Sequence, residues 1–347
     1  MKIRPIHTFQ IENPFPIESG VFGQYPLTLD QGFIVFRVTK PDREPAFGFL
    51  ALTYPDHPSM IRPHEKVILQ KVDAKKNEAE SESFLTKPVC LLYGPNKGLT
   101  EHLIEGFDPE KVLVRREQDD FLYEYTVYDD AVWADQLMSL FARQESLVIA
   151  DGHHRTAAYW AMREKNDGNS GLFSAILSLD QVDVRSYHRQ IHIPKGSEMD
   201  FYQLLERVYE IEEWHGGMTI KSTDQIGPEE RMILMQVEKK WNRLYPRNNS
   251  ALIRKGSADL LAQFEERVVG AFCSDTKSDI HDLMNFVTGR ELENLPSGKN
   301  DFIFLFPPVS HEFLWDSSHR GEVLPAKSTW IEPHMPSGII QIPNQRR

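Results

Sequence analysis

Cysteine is nearly missing from this 347-residue chain, which has only Cys90 and Cys273. Two thiols exclude a disulfide framework and a multi-cysteine zinc or iron–sulfur site, and they fit a reducing compartment. Each lies among apolar neighbours and reads as core rather than chemistry. Long apolar runs are missing too: no stretch of about 18 apolar residues occurs, and the N-terminal MKIRPIHTFQ lacks the apolar segment of a secretory signal. The expectation is a cytoplasmic protein with no membrane partner. Positive charge is in deficit, 39 Lys plus Arg against 51 Asp plus Glu, a net charge of -12. That argues against nucleic acid as a partner, because affinity for phosphate chains comes from basic surface and counterion release. Also absent are the G-x-S-x-G elbow, G-x-G-x-x-G, the Walker-type G-x-x-x-x-G-K-[ST] and H-E-x-x-H, which removes several enzyme classes in their standard form.

What remains is a composition for packed interiors, 40% hydrophobic and 11% aromatic, at a length that suits about two domains. Residues 1–30 are Pro-rich and read as an extended surface segment. GFIVFRV (32–38) and FGFLALTY (47–54) flank the turn chemistry of PDREPA and predict a β-hairpin. The charged 72–85 segment predicts an exposed helix. PVCLLYG (88–94) and the alternating FLYEYTVYD (121–129) predict strands. Val132, Trp133, Leu137, Leu140 and Phe141 recur at helical spacing over 131–145. LFSAILSL (172–179), VRSYHRQIHIP (184–194), GMTIKS, RMILMQVEKKWNRLYP and DFIFLFPP read as strands. FYQLLERVYEI, 259–273 and 278–289 read as helices. The fold class expected is α+β: a mixed sheet with flanking helices over 31–194, a second α+β region over 195–325, and a docking tail over 326–347.

The densest chemical signal is SLVIADGHHRTAAYWA, a short β-type run, a polar turn and an Ala-rich helix. Gly152 permits an unusual backbone angle, and the amides that follow lie at a helix N-terminus where the dipole favours an anion. Arg155 adds a bidentate charge-assisted donor, and His153 and His154 add further donors. The sum is a cradle for phosphate or carboxylate. Asp151 then makes sense as a metal ligand, a base, or the orienter of a histidine. The plain alternative is an Asp helix cap with surface histidines.

LVIADGHHRTAAYWA, RPHEKVIL, PVCLLYG, SYHRQIH and PAKSTWIEPHMPSGII occur in that order. Together they resemble the bacterial domain-of-unknown-function family number ten-fifteen, from about residue 30 to 342. More distantly, a PHE-type motif followed by DGHHR is similar to the ParB and sulfiredoxin-like superfamily, which includes ADP-dependent free-serine kinases. The resemblance implies a phosphate-binding strand–turn–helix with Gly152, His153, His154 and Arg155 holding nucleotide phosphates. It implies Glu65 as the base for a substrate hydroxyl, and Asp151 as a metal ligand, with magnesium the expected ion, or as a histidine orienter. The sequence departs from the short kinases in its spacing, since about 85 residues separate Glu65 from Asp151.

Further candidates for substrate contact, or for supporting the groups that make it, are His64, His188, Arg189 and the triplet Lys327, Ser328 and Thr329. GPNKG (94–98) reads as a turn without a clear helix after it. The functional expectation is a nucleotide-dependent phosphotransferase with ADP or ATP as co-substrate and a small hydroxylated metabolite, free serine first, as acceptor. The alternatives are a nucleotide-binding regulatory module without turnover and, more distantly, a metal-dependent hydrolase built on Asp151, His153, His154, His64 and Glu65.

Overall fold

A computed structural model describes residues 1–11, 27–28, 32–41, 43–163, 170–215, 226–247, 257–296 and 298–344. The chain forms two compact units. The first comprises Met1–Asp183, Ser317–Glu322 and Ile331–Arg347, and the second Val184–Asp316 and Val323–Trp330. The break after Asp183 falls earlier than the one expected near 194–200, because strand His188–His192 pairs inside the second unit's sheet.

The first unit is built on a mixed nine-stranded sheet. Eight of its strands run in the order Ile61–Arg62, Leu147–Asp151, Val89–Tyr93, Leu172–Ser178, Ala46–Tyr54, Phe33–Thr39, Phe121–Tyr128 and Val112–Gln118, and Lys2–Arg4 also pairs with Ala46–Tyr54. The expected hairpin is present, with Ile34 opposite Leu50 and Phe36 opposite Gly48. Its β-branched and aromatic side chains suit a pleated surface covered by helices. Phe33, Phe49, Leu91, Tyr93, Leu137 and Phe141 are fully buried in one cluster, with Phe49 edge-on to Phe33 and Phe141.

Helix Ala131–Phe141 contributes Trp133, Ala134, Leu137 and Phe141 to that core, and Asp130 caps it by accepting from the Trp133 N–H at 2.8 Å. Val132, expected on the apolar face, is instead exposed. It lies one residue, about 100° of helical turn, off the buried stripe. The acidic segment forms the exposed helix Leu69–Ser81, which buries no residue. GPNKG also corrects the expectation: Asn96 accepts from the Leu99 N–H at 3.1 Å and starts helix Lys97–Glu105. The tail docks within this unit, where strand Ile340–Pro343 pairs with Phe84–Leu85 on one side and Thr8–Ile11 on the other.

The second unit has a six-stranded sheet, ordered Tyr209–Trp214, Lys240–Pro246, Ile233–Val237, Asp301–Leu305, His188–His192 and Met284–Val287. Every pairing in it is antiparallel. Phe201, Phe264, Phe302 and Phe304 pack at its centre. The 259–273 helix is present but widens to a π-helical turn over Glu265–Gly270. Residues 278–289 correct the expectation of a helix, since after one turn, Ile280–Leu283, the chain becomes strand Met284–Val287. Sheet pairing with His188–His192 overrides the helical periodicity there. GMTIKS lies outside the described residues.

Candidate functional site

The site is assembled by one pair of strands. Ile61–Arg62 runs parallel to Leu147–Asp151, with Ile61 opposite Leu147 and Arg62 opposite Val148. Segments that follow parallel neighbours leave the sheet at the same end, so Pro63–Lys66 emerges beside the turn at Asp151–Arg155. The opposite neighbour, Val89–Tyr93, pairs antiparallel, and its register slips between Ile149 and Asp151. A bulge of this kind re-aims the side chain that follows it.

Asp151 ends the strand and helix His153–Arg163 begins two residues later. Between them Gly152 has φ +100°, a conformation that disfavours any side chain. A Cβ there would also lie 2.8 Å from Arg155 Nη2, so glycine leaves the room in which the guanidinium folds back over the turn. Arg155 Nη2 donates to Asp151 Oδ2 at 2.8 Å and to the Pro88 carbonyl at 3.3 Å. Its Nε is buried with no hydrogen-bond partner among the described residues.

Two more basic groups converge on the same carboxylate. Lys87 Nζ lies 3.5 Å and His334 Nε2 3.6 Å from Asp151 Oδ2, and the two nitrogens are 3.1 Å apart. Burial alone would raise the Asp151 pKa, but the charges of Arg155, His334 and Lys87 outweigh it and hold the carboxyl well below the usual range. Burial lowers the Lys87 pKa, and the Asp151 charge opposes that shift. Asp151 thus anchors a cationic cluster. Magnesium does not fit on it, because a divalent cation would compete with Arg155 and Lys87 for the same oxygen. Among the described residues no three His, Cys, Asp or Glu side chains are grouped as metal ligands.

The second half of the site is inward-facing. His64 is fully buried, and its ring packs edge-on against His153 with centroids 4.5 Å apart. Burial pushes the His64 pKa down, against the opposing influence of Glu65, so the ring is neutral near pH 7. Glu65 Oε1 lies 3.8 Å from His64 Nε2. His154 Nε2 accepts the Ile68 N–H at 3.0 Å, so that nitrogen carries no proton to offer a phosphate. The bond also supplies the N-terminus of helix Leu69–Ser81, whose cap residue Ile68 provides no side-chain acceptor of its own. The backbone amides at the helix start and the Arg155 guanidinium are the other donors at this turn.

The remaining candidates lie in the second unit with internal roles. His188 Nδ1 accepts the Phe306 N–H, and burial, then the Arg189 charge, pushes its pKa down to about 3. Arg189, fully buried, is fixed by Glu265 Oε1 at 2.7 Å and donates to the Lys327 carbonyl at 3.0 Å. Lys327 has φ +58° and donates to the Tyr187 hydroxyl at 3.2 Å. The Ser328 hydroxyl donates to the Pro325 carbonyl, and Thr329 is buried at the start of strand Thr329–Glu332.

Lys87 and His334 were not among the residues singled out in the sequence. Lys87 sits one residue before the Pro that opens strand Val89–Tyr93, and His334 follows Pro333 in the tail. Only the docking of that tail, marked by Gly338 N–H donating to the Thr86 carbonyl at 2.7 Å, brings the two together.

Fold and site define an α+β protein with a strand–turn–helix whose first turn is framed by a carboxylate-anchored cationic cluster. The chain belongs to the DUF1015 family of proteins of unknown function, whose family model matches residues 18–268. No curated protein matches it in sequence. Among solved structures it is similar to SbnI with a C-terminal truncation from Staphylococcus aureus, at 14% identity and TM-score 0.47, covering 85% of this chain and 87% of that one. It is also similar to a free serine kinase in complex with AMP, at 16% identity and TM-score 0.42, covering 82% and 88%. A conserved hypothetical protein from Pyrococcus furiosus aligns at 15% identity and TM-score 0.41, covering 82% and 92%. All three resemblances are distant in sequence and in shape. Among the described residues no helix is long and apolar enough to cross a membrane.

Proposed function

We propose that this chain binds ADP or ATP by its phosphates at the Asp151–Arg155 turn and transfers a phosphoryl group to a small hydroxylated metabolite, with free serine the first acceptor to test. The observation that carries the reading is the parallel pairing of Ile61–Arg62 with Leu147–Val148. The pairing supports a common site for His64, Glu65 and the cationic turn despite the long separation in sequence. Phosphoryl transfer needs charge neutralisation and positioning more than covalent chemistry. Arg155, Lys87 and the helix amides supply positive potential, and Asp151 keeps the two cations in place. Glu65 takes the proton of the acceptor hydroxyl as its oxygen attacks phosphorus. The bond from phosphorus to the bridging oxygen breaks, and the shortened nucleotide leaves. In this reading magnesium arrives on the nucleotide's phosphates, and no step passes through a protein-bound metal.

The test is to incubate the protein with ADP or ATP, magnesium and L-serine and to follow phosphoserine by phosphorus NMR. Glu65→Gln should lower turnover by about 10²–10⁴-fold, the range for loss of a general base, while nucleotide affinity stays within a few-fold. Turnover unchanged in that variant removes Glu65 from the reaction. Nucleotide binding without transfer to any hydroxylated acceptor leaves the regulatory module as the reading.

A further inference from the structure

A cavity of about 200 Å³ in the first unit opens beside the cationic cluster, lined at one end by Lys87 and Arg155. Its walls are largely apolar and partly aromatic, with Ala158, Tyr159, Met162 and Phe173 among them, and Lys75, Glu78 and Glu82 also line it. Helix His153–Arg163 carries both the Arg155 end and the Ala158, Tyr159 and Met162 wall, so the two ends are held in fixed relation.

We infer that this cavity receives the base of the nucleotide, a flat two-ring base bearing an exocyclic amine, while the phosphates lie on Arg155 and Lys87. The inference rests on the nucleotide reading above and adds the base subsite to it. The size is that of a bicyclic base and falls below the 300 Å³ or more typical of pockets that enclose a whole drug-sized ligand. The apolar walls suit the faces of an aromatic ring. Lys75 Nζ, which also lines the cavity, pairs with Glu78, which leaves the Glu82 carboxylate to accept a hydrogen bond from an amine and to repel a ring carbonyl. Burial, then the neighbouring Glu78 charge, raises the Glu82 pKa, and the Lys75 charge opposes that shift. Adenine meets these requirements, and hypoxanthine, with a carbonyl in place of the amine, does not.

The test is calorimetry of the full chain with ADP, inosine diphosphate and tripolyphosphate, repeated on Ala158→Phe, which fills the cavity from the helix. The expected result is ADP binding at least tenfold tighter than tripolyphosphate and inosine diphosphate. Ala158→Phe should weaken ADP by tenfold or more and leave tripolyphosphate within twofold. ADP affinity unchanged in Ala158→Phe overturns the base subsite and leaves the phosphate site standing. No binding of any of the three compounds removes the nucleotide reading itself, and the subsite with it. If Ala158→Phe loses its native circular dichroism, the unaltered protein decides: equal affinity for ADP and tripolyphosphate overturns the proposal.

Discussion

Replacing Asp151 by Asn keeps the shape of the side chain and removes the charge on which Arg155, Lys87 and His334 converge. The Arg155 guanidinium then donates to a neutral acceptor instead of a carboxylate, and Lys87, partly buried, loses its counterion. Hydrogen bonds to charged groups contribute about 1.5–3 kcal/mol, so Asp151→Asn should destabilise the first unit by about 2 kcal/mol at pH 7. The pH dependence follows from the depressed pKa of the folded carboxyl. A group of this kind contributes stability that is present above its unfolded pKa, about 3.9, and is lost as pH falls toward the folded value. With the folded value well below 3, roughly 1.3 kcal/mol of the gap between wild type and variant should be gone at pH 3. Urea unfolding followed by tryptophan fluorescence, at pH 7 and in steps down to pH 3, measures the gap directly. A gap of the same size at both ends of that range would refute the assignment of Asp151 as the ionised anchor of the cluster.

Two further predictions concern the second unit. Arg189→Ala strands Glu265 without its buried cation and removes the Arg189 donor from the Lys327 carbonyl, so urea unfolding should show a loss of about 3–5 kcal/mol. His188, held neutral in the folded state with a pKa of about 3, works against folding in acid because the unfolded ring takes up a proton below about 6.5. Its contribution to the loss between pH 7 and pH 5 is about 2 kcal/mol. His188→Asn, which keeps an acceptor for the Phe306 N–H, should flatten the stability profile over that interval, as read by thermal unfolding at each pH.

Much of the site was legible in the sequence because it is local. A β-branched run, a glycine and an Ala-rich segment specify strand, turn and helix within a dozen residues, and the turn's polar residues mark it as a candidate site. The hairpin over 33–54 was legible for the same reason, since its pattern and its turn chemistry agree. What the sequence hid depends on pairing at long range. Lys87 and His334 carry no motif, and their position beside Asp151 arises from strand order and from the tail docking on Phe84–Leu85. Nor could sequence show that His154 serves the cap of a distant helix, because the Ile68 N–H that it accepts belongs to the segment after the PHE motif. Residues 284–287 read as helix because a short amphipathic run fits both periods, and only a vacant edge beside His188–His192 decides between them.

The central claim, a phosphate site built on the Asp151–Arg155 turn, is tested most directly by calorimetric titration of ADP with magnesium into the protein and into Arg155→Ala. The account predicts saturable binding that the variant weakens by tenfold or more. Binding of equal strength in both proteins would contradict it.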